Sequence, residues 1–363
     1  MTKGKDNYMP QLDALRTFAV AAVAFSHWVP NEYHFGLPIG PGGVQLFFVL
    51  SGFLITGILL RCQEYQDRVY ALKSFYARRF LRIFPLFYGI LFVGALLNIS
   101  PIRETFLWHF AYLSNFYFFV IQEWNGPVSH FWSLAVEEQF YLIWPTIILF
   151  APRKMISTLV MVTIGVGIFS RYGLANAFPE VRFISLLPTS ALVSLGLGAG
   201  LACYKANLIG KRFIGLISSG IPVYLALLVL QEFGIRFPFH GSLMDFFLML
   251  GFTWLVYKAS AGFQGLVGRL LSFSVLIYLG KISYGLYVLH NFAGIPVLVF
   301  TEKLGLPFLK YGFSGIILKT IFTVAGASLS WHFFEQPINR FKSRFPYRSP
   351  KEISDSESNS EGH

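Results

Sequence analysis

The chain has 363 residues, of which 18% are aromatic and only 13% charged, and its mean hydropathy is +0.57. A water-facing surface cannot be built from that composition, so a soluble globular fold is excluded and a bilayer is the expected solvent. The formal charge of +11 would suggest nucleic acid in a soluble protein. Here the basic residues sit in short loops between apolar runs, which makes them topology determinants and leaves no nucleic-acid partner expected.

Apolar windows close to the length needed to cross about 30 Å of hydrocarbon stand at 12–28, 42–60, 83–100, 130–151, 155–172, 184–204, 213–230, 242–260, 274–298 and 311–334. They predict an all-α polytopic membrane bundle of about ten transmembrane helices. The stretch 105–121 reads as interfacial or re-entrant, because a full span there would invert the charge pattern after it. With that reading, twenty of the 29 Lys and Arg residues, among them Lys3, Lys5 and Lys351, fall on one side, six on the other, and Arg16, Lys281 and Lys319 within spans. The positive-inside rule then places both termini in the cytoplasm and the chain in the inner, cytoplasmic membrane. Residues 1–340 form the membrane domain, and 341–363 a basic, then acidic and Ser-rich, cytoplasmic tail expected to be disordered. The first window contains Asp13 and Arg16 and no small-residue cleavage site, which argues against a removable signal peptide. Cys62 and Cys203 fall near cytoplasmic helix ends, where no disulfide is expected.

A charged residue at the bilayer centre costs roughly 2.5–3.5 kcal/mol on insertion scales, so several together call for partners or a task. In the first window Arg16 and His27 are eleven residues apart, which puts them on one helical face about 16 Å apart. They line one wall of a site, or Asp13 and Arg16 pair near the cytoplasmic end while His27 snorkels outward. The loop 61–82 ends in Arg78, Arg79 and Arg82 ahead of Pro85; Arg79 and Arg82 share a side and suit phosphate oxygens, although any cytoplasmic helix end attracts arginines to anionic lipid. In the fourth window His130, Ser133, Glu137, Tyr141 and Trp144 recur at steps of three or four and form one stripe, with Glu138 about 100° away. Glu137 and His27 both belong to the outer halves of their helices, where a carboxylate could orient the imidazole as a general base. In the ninth window Ser283, Tyr287 and His290 share a face beside Lys281, Tyr284 and Asn291, either as a second polar wall or as ordinary interhelical hydrogen bonding. Trp28, Tyr33, Trp108, Trp124 and Trp132 near the outer mouth are membrane-interface anchors or platforms for sugar faces.

Taken in order, these blocks resemble the membrane acyltransferase-3 family, which includes O-acetyltransferases of surface polysaccharides. The resemblance rests on Leu12-Asp13-x-Leu15-Arg16 with His27 eleven residues on, Phe47-Phe48-Val49-Leu50-Ser51-Gly52-Phe53-Leu54-Ile55, and Arg78-Arg79-x-x-Arg82-Ile-x-Pro85. It continues through Trp132-Ser133-Leu134-x-Val136-Glu137-x-Gln139-Phe140-Tyr141, Leu279-Gly280-x-x-Ser283-Tyr284-x-x-Tyr287-x-x-His290 and Glu335-x-Pro337. It implies a ten-helix bundle that moves an acyl group, usually acetyl, from cytoplasmic acyl-CoA to a sugar hydroxyl of a glycan, a lipid-linked sugar or a glycosylated metabolite, with no metal. Some relatives carry a further hydrolase-like domain after the membrane part. The present sequence ends without one, so the expectation is that the membrane part completes the transfer itself or with a separate partner.

On this reading His27, Glu137 and Arg16 are the catalytic candidates, with Glu137 orienting His27 and Arg16 facing the developing oxyanion or a CoA phosphate. Arg79, Arg82 and Ser51 are the donor-binding candidates. Asp13, Ser133, Tyr141, Ser283, Tyr284, Tyr287 and His290 are candidates for substrate contact or for carrying the acyl group. The competing class is a transporter or flippase whose Glu and His residues relay protons.

Overall fold

The computed structural model describes residues 8–236 and 238–350. Lys3, Lys5 and Lys351 of the charge pattern, and residues 351–363 of the expected tail, lie outside the described residues. Among the described residues every regular element is helical. The first half runs α1 Pro10–Trp28, α2 Ile39–Cys62, α3 Arg68–Leu96, the short α4 Phe106–Phe110 and α5 Ser114–Ile121, α6 Phe131–Phe150, α7 Ile156–Ile168 and α8 Ala175–Ala177. The second half runs α9 Pro188–Lys205, α10 Arg212–Ser218, α11 Gly220–Glu232, α12 His240–Ala261, α13 Gly265–Leu271, α14 Ser274–Lys281, α15 Ser283–Leu289, α16 Gly294–Lys303, α17 Gly312–Ser330 and α18 Gln336–Arg340.

Six helical stretches are long and apolar enough to cross a membrane: Ile39–Cys62, Arg68–Leu96, Arg153–Ala177, Arg212–Glu232, His240–Ala261 and Gly312–Arg344. The bent pair Ser283–Phe292 and Gly294–Lys303 makes a seventh if counted as one span. Three further predicted windows are helices of 19, 20 and 18 residues, namely α1, α6 and α9. Their apolar character is diluted by Asp13, Arg16 and His27, by Glu137, Glu138 and Gln139, and by small residues, respectively.

Two expectations change. The window at 274–298 is not one helix: it breaks at Ile282, and a 3-10 turn at His290–Phe292 precedes a 57° bend before α16. The segment expected as a loop up to residue 82 is largely helical, because Asp67 caps the N-terminus of α3 by accepting from the Tyr70 amide at 2.8 Å. The region 105–121 forms α4 and α5, of five and eight residues, each too short to cross a bilayer.

The centre of the bundle is α2, with 72% of its apolar window buried against 17–33% in the other five single-helix candidates. It packs backbone to backbone on α9. A Cβ on Gly52 would stand 2.0 Å from the Leu195 carbonyl oxygen, and one on Gly198 would stand 2.1 Å from that of Val49. Small residues permit this approach in a medium where tight packing, not water exclusion, drives helix association. On the other flank α14 reaches α1 through Gly280, whose Cβ would stand 1.9 Å from the Asp13 carbonyl oxygen. Beyond α18, the 3-10 turn Phe341–Arg344 is tied to α3: Arg78 donates to the carbonyls of Lys342 at 2.9 Å and Phe345 at 3.2 Å, and its guanidinium lies over the Tyr347 ring.

Candidate active site

The stripe on α6 defines the site. From His130 to Tyr141 it rises about 16 Å, and each member meets a polar partner from another helix. At the Tyr141 end, Ser51 Oγ on α2 donates to Glu137 Oε1 at 2.5 Å, and the Tyr141 hydroxyl donates to Ser51 Oγ at 2.9 Å. The Arg79 guanidinium covers the Tyr141 ring at 5.0 Å, and among the described residues it pairs with no carboxylate. One turn below, Trp144 Nε1 donates to Thr56 Oγ1 at 2.8 Å. One turn above Glu137, Ser133 Oγ and the Tyr287 hydroxyl are 2.5 Å apart, and Tyr287 also donates to the His130 carbonyl at 3.1 Å.

The far end holds three histidines from three helical segments. His27 Nδ1 lies 2.7 Å from His290 Nε2, and the ring centroids of His130 and His290 are 4.6 Å apart. His130 and His290 are 2% and 1% exposed, whereas His27 is exposed. Asn291 Nδ2 donates to His130 Nδ1 at 3.0 Å, His130 Nε2 faces the Val288 carbonyl at 3.3 Å, and His290 Nδ1 faces the Tyr287 carbonyl at 2.6 Å. Trp28 Nε1 donates to the His290 carbonyl at 3.1 Å. The break after α15 is what brings His290 and Asn291 to this point. No group of three or more His, Cys, Asp or Glu suited to a metal ion occurs among the described residues. The 2.7 Å separation of His27 and His290 is a hydrogen bond, shorter than the roughly 3.3 Å between two nitrogens on one tetrahedral zinc.

The expected His27–Glu137 pair does not form: the imidazole takes His290 and the carboxylate takes Ser51. The physical reason is depth. Glu137 is seven residues further along α6 than His130, about 10 Å of helical rise, and it is His130 whose level matches His27. Arg16 forms an ion pair with Asp13, which also accepts from Tyr8 at 2.7 Å, so the pairing alternative describes these two residues. Arg79 and Arg82 do not act as one fork. Arg82 turns to Glu335 at 3.5 Å, donates to the Lys281 carbonyl at 3.1 Å and lies over Trp331 at 5.0 Å. Tyr284 donates to the Ile83 carbonyl at 2.6 Å, two residues before Pro85, and Ser283 is buried at the first turn of α15.

His130 and Asn291 were visible in the stripes but not singled out, because only the fold shows which polar residues of a stripe meet another helix. A second network was missed entirely. Asp245 on α12 accepts from Arg171 Nε at 2.6 Å and Nη2 at 3.1 Å, from the Tyr172 hydroxyl at 2.9 Å and from Gln45 at 2.5 Å. Arg171 and Tyr172 occupy a π-helical turn at Phe169–Leu174, a distortion that sequence periodicity does not announce. A groove of ≈ 530 Å³ between α1, α2, α11 and α12 is lined by apolar residues such as Phe18, Leu46, Leu228 and Phe252 and includes none of the site's polar side chains.

A multi-helix membrane bundle that gathers imidazoles, hydroxyls and a carboxylate along one inward stripe, with an arginine at one end, is built as an integral membrane enzyme. Over residues 9–332 the chain matches the acyltransferase domain of the acyltransferase-3 family and belongs to that family, so the enzyme is an acyltransferase. It is similar to the peptidoglycan O-acetyltransferase OatA of Listeria monocytogenes, 28% identical over 373 residues covering 93% of this chain and 57% of that protein. It is similar also to the O-acetyltransferase OatA of Staphylococcus aureus, 28% identical over 380 residues (92% and 57%), and to the putative peptidoglycan O-acetyltransferase YrhL of Bacillus subtilis, 28% identical over 366 residues (91% and 55%). The chain thus spans little more than half the length of these relatives. No solved structure matches it.

Proposed function

We propose that the chain is an O-acetyltransferase of the cytoplasmic membrane, moving an acetyl group from acetyl-CoA to a sugar hydroxyl, with a peptidoglycan-type glycan as the acceptor. The glycan class is supported by the names of the relatives; acyl-CoA as donor is supported by the Arg79 end of the stripe. In this reading about ten helices cross the bilayer, the three extra ones being α1, α6 and α9. Both termini and Arg79 face the cytoplasm, following the excess of basic residues on that side.

The donor's phosphates meet Arg79, whose guanidinium is free for a phosphate fork, and its pantetheine arm runs along the α6 stripe past Tyr141, Ser51 and Glu137. The acceptor hydroxyl reaches His27, the exposed histidine, which removes its proton as the oxygen attacks the thioester carbonyl. The C–O bond forms, the C–S bond breaks, and the proton leaves with the thiol. Positioned general-base catalysis contributes roughly 10²–10⁴-fold. The observation that carries this reading is the row of polar groups along α6, from Tyr141 and Glu137 with Ser51, through Ser133 with Tyr287, to His130 beside His27 and His290. A broken helix taken alone would suit a transporter, but here the break delivers His290 and Asn291 to the other two histidines.

The test is to incubate membranes with radiolabelled acetyl-CoA and follow label into the glycan. Wild-type protein should transfer it, and His27→Ala, inserted at normal levels, should lose transfer by roughly 10²-fold or more. Full activity in that variant would rule His27 out as the base; no transfer by the wild type would rule out the donor.

A further inference from the structure

The hydrogen bonds at the three histidines determine where each proton sits. The Tyr287 carbonyl can only accept, so His290 Nδ1, 2.6 Å away, carries a hydrogen. A second proton on a ring 1% exposed, with no carboxylate paired to it among the described residues, would be an unpaired buried charge. His290 is therefore neutral, and its Nε2 presents a lone pair. The group facing that lone pair at 2.7 Å is His27 Nδ1, which must then be the N–H of His27. The two ring planes differ by 7° with centroids 4.9 Å apart, further apart than the bonded nitrogens. The rings thus meet edge to edge in nearly one plane, as an in-plane N–H···N bond requires. His27 Nε2 is left with its lone pair and, among the described residues, no hydrogen-bond partner.

His130 differs. Its Nε2–H points to the Val288 carbonyl and its Nδ1 accepts from Asn291, so both nitrogens are occupied and it cannot serve as a base without breaking its anchor.

We infer that His290 is the positioning residue of the reaction: through its Nε2 lone pair it holds His27 in the Nδ1–H form and aims His27 Nε2 at the acceptor hydroxyl. This deepens the acetyl-transfer reading and rests on it. When His27 takes the acceptor proton on Nε2, the imidazolium keeps Nδ1–H bonded to His290, which is itself polarised by the Tyr287 carbonyl. A neutral imidazole and a peptide carbonyl thus fill the role a carboxylate has in a catalytic triad, without an ion buried beside the histidines. The Glu137 carboxylate, committed to Ser51, is not required for it.

The substitution that separates position from packing is His290→Gln, whose amide oxygen can accept from His27 while its NH₂ donates to the Tyr287 carbonyl. Acetyl transfer from acetyl-CoA by full-length protein should fall roughly 10²-fold in kcat for His290→Ala, with KM for acetyl-CoA unchanged, and recover to within about tenfold of wild type for His290→Gln. Wild-type kcat in His290→Ala, or equal loss in Ala and Gln variants that insert normally, would overturn the inference. A measurement on the unaltered protein covers variants that fail to insert: ¹⁵N-histidine NMR in detergent, assigned with His27→Ala, should show His27 protonated at Nδ1 and bare at Nε2. The opposite tautomer overturns the inference even if transfer is normal. A wild-type enzyme with the expected tautomer but no transfer from acetyl-CoA would instead overturn the donor reading and leave the histidine geometry standing.

Discussion

His27 and His290, 263 positions apart in sequence, share an N–H···N bond of 2.7 Å, and that contact ties the first helix to the broken one. The bond depends on α14 lying directly on α1 at Gly280 and on the 3-10 turn at His290–Phe292.

Arg79 and Arg82 should behave differently. Arg79→Ala should raise KM for acetyl-CoA with little change in thermal stability, because its guanidinium only covers Tyr141 and Phe75. Arg82→Ala should lower the melting temperature in detergent instead, since it leaves the 3% exposed Glu335 without its cation; breaking one partner of a buried pair costs about 3–5 kcal/mol. Equal KM effects in both variants would show that the pair does act as one fork.

Asn291→Ala removes the donor to His130 Nδ1 and leaves a buried acceptor unsatisfied, a cost of about 1–3 kcal/mol. Asn291→Asp should be worse, because it sets a carboxylate oxygen against the same lone pair. Differential scanning fluorimetry of the two variants gives the order, and Asp more stable than Ala would contradict the assigned His130 tautomer.

Asp245→Ala should destabilise by about 3–5 kcal/mol, because Arg171 would keep its charge after losing the carboxylate it pairs with. Replacing both Arg171 and Asp245 with Met and Leu should cost less than Asp245→Ala alone, which denaturant titration of the purified protein would show. A double variant less stable than the single one would mean the ion pair stabilises beyond satisfying itself.

Glycines of α2 offer a matched comparison. Gly52→Ala places a Cβ 2.0 Å from a backbone oxygen of α9, whereas Gly57→Ala meets nothing within 4 Å. Overpacking costs typically about 1–3 kcal/mol, while an open helical Gly→Ala is neutral or gains up to about 1 kcal/mol. Expression yield and melting temperature should therefore drop for Gly52→Ala and not for Gly57→Ala.

The helical class and the α6 stripe were legible in the chain, because an apolar window of about twenty residues and a period of 3.6 are local properties. The stripe from His130 to Trp144 behaves as its spacing requires: all five residues face one interior line. The Asp13–Arg16 pair was equally readable, being three residues apart on one helix. The polar character of α1 and α6, which lowers their apparent fitness as spans, is what marks them as candidates to carry the chemistry.

The sequence by itself determined that the chain is a membrane-type helical protein, which helical faces are polar and to which acyltransferase family the chain belongs, since composition, period and motif order are carried by neighbouring residues. Only the tertiary structure decided that His27 is matched with His290 and that Glu137 serves Ser51. Axial register between helices is set by where glycines let backbones touch and where a helix breaks, and a difference in depth of about two turns exchanges one partner for another.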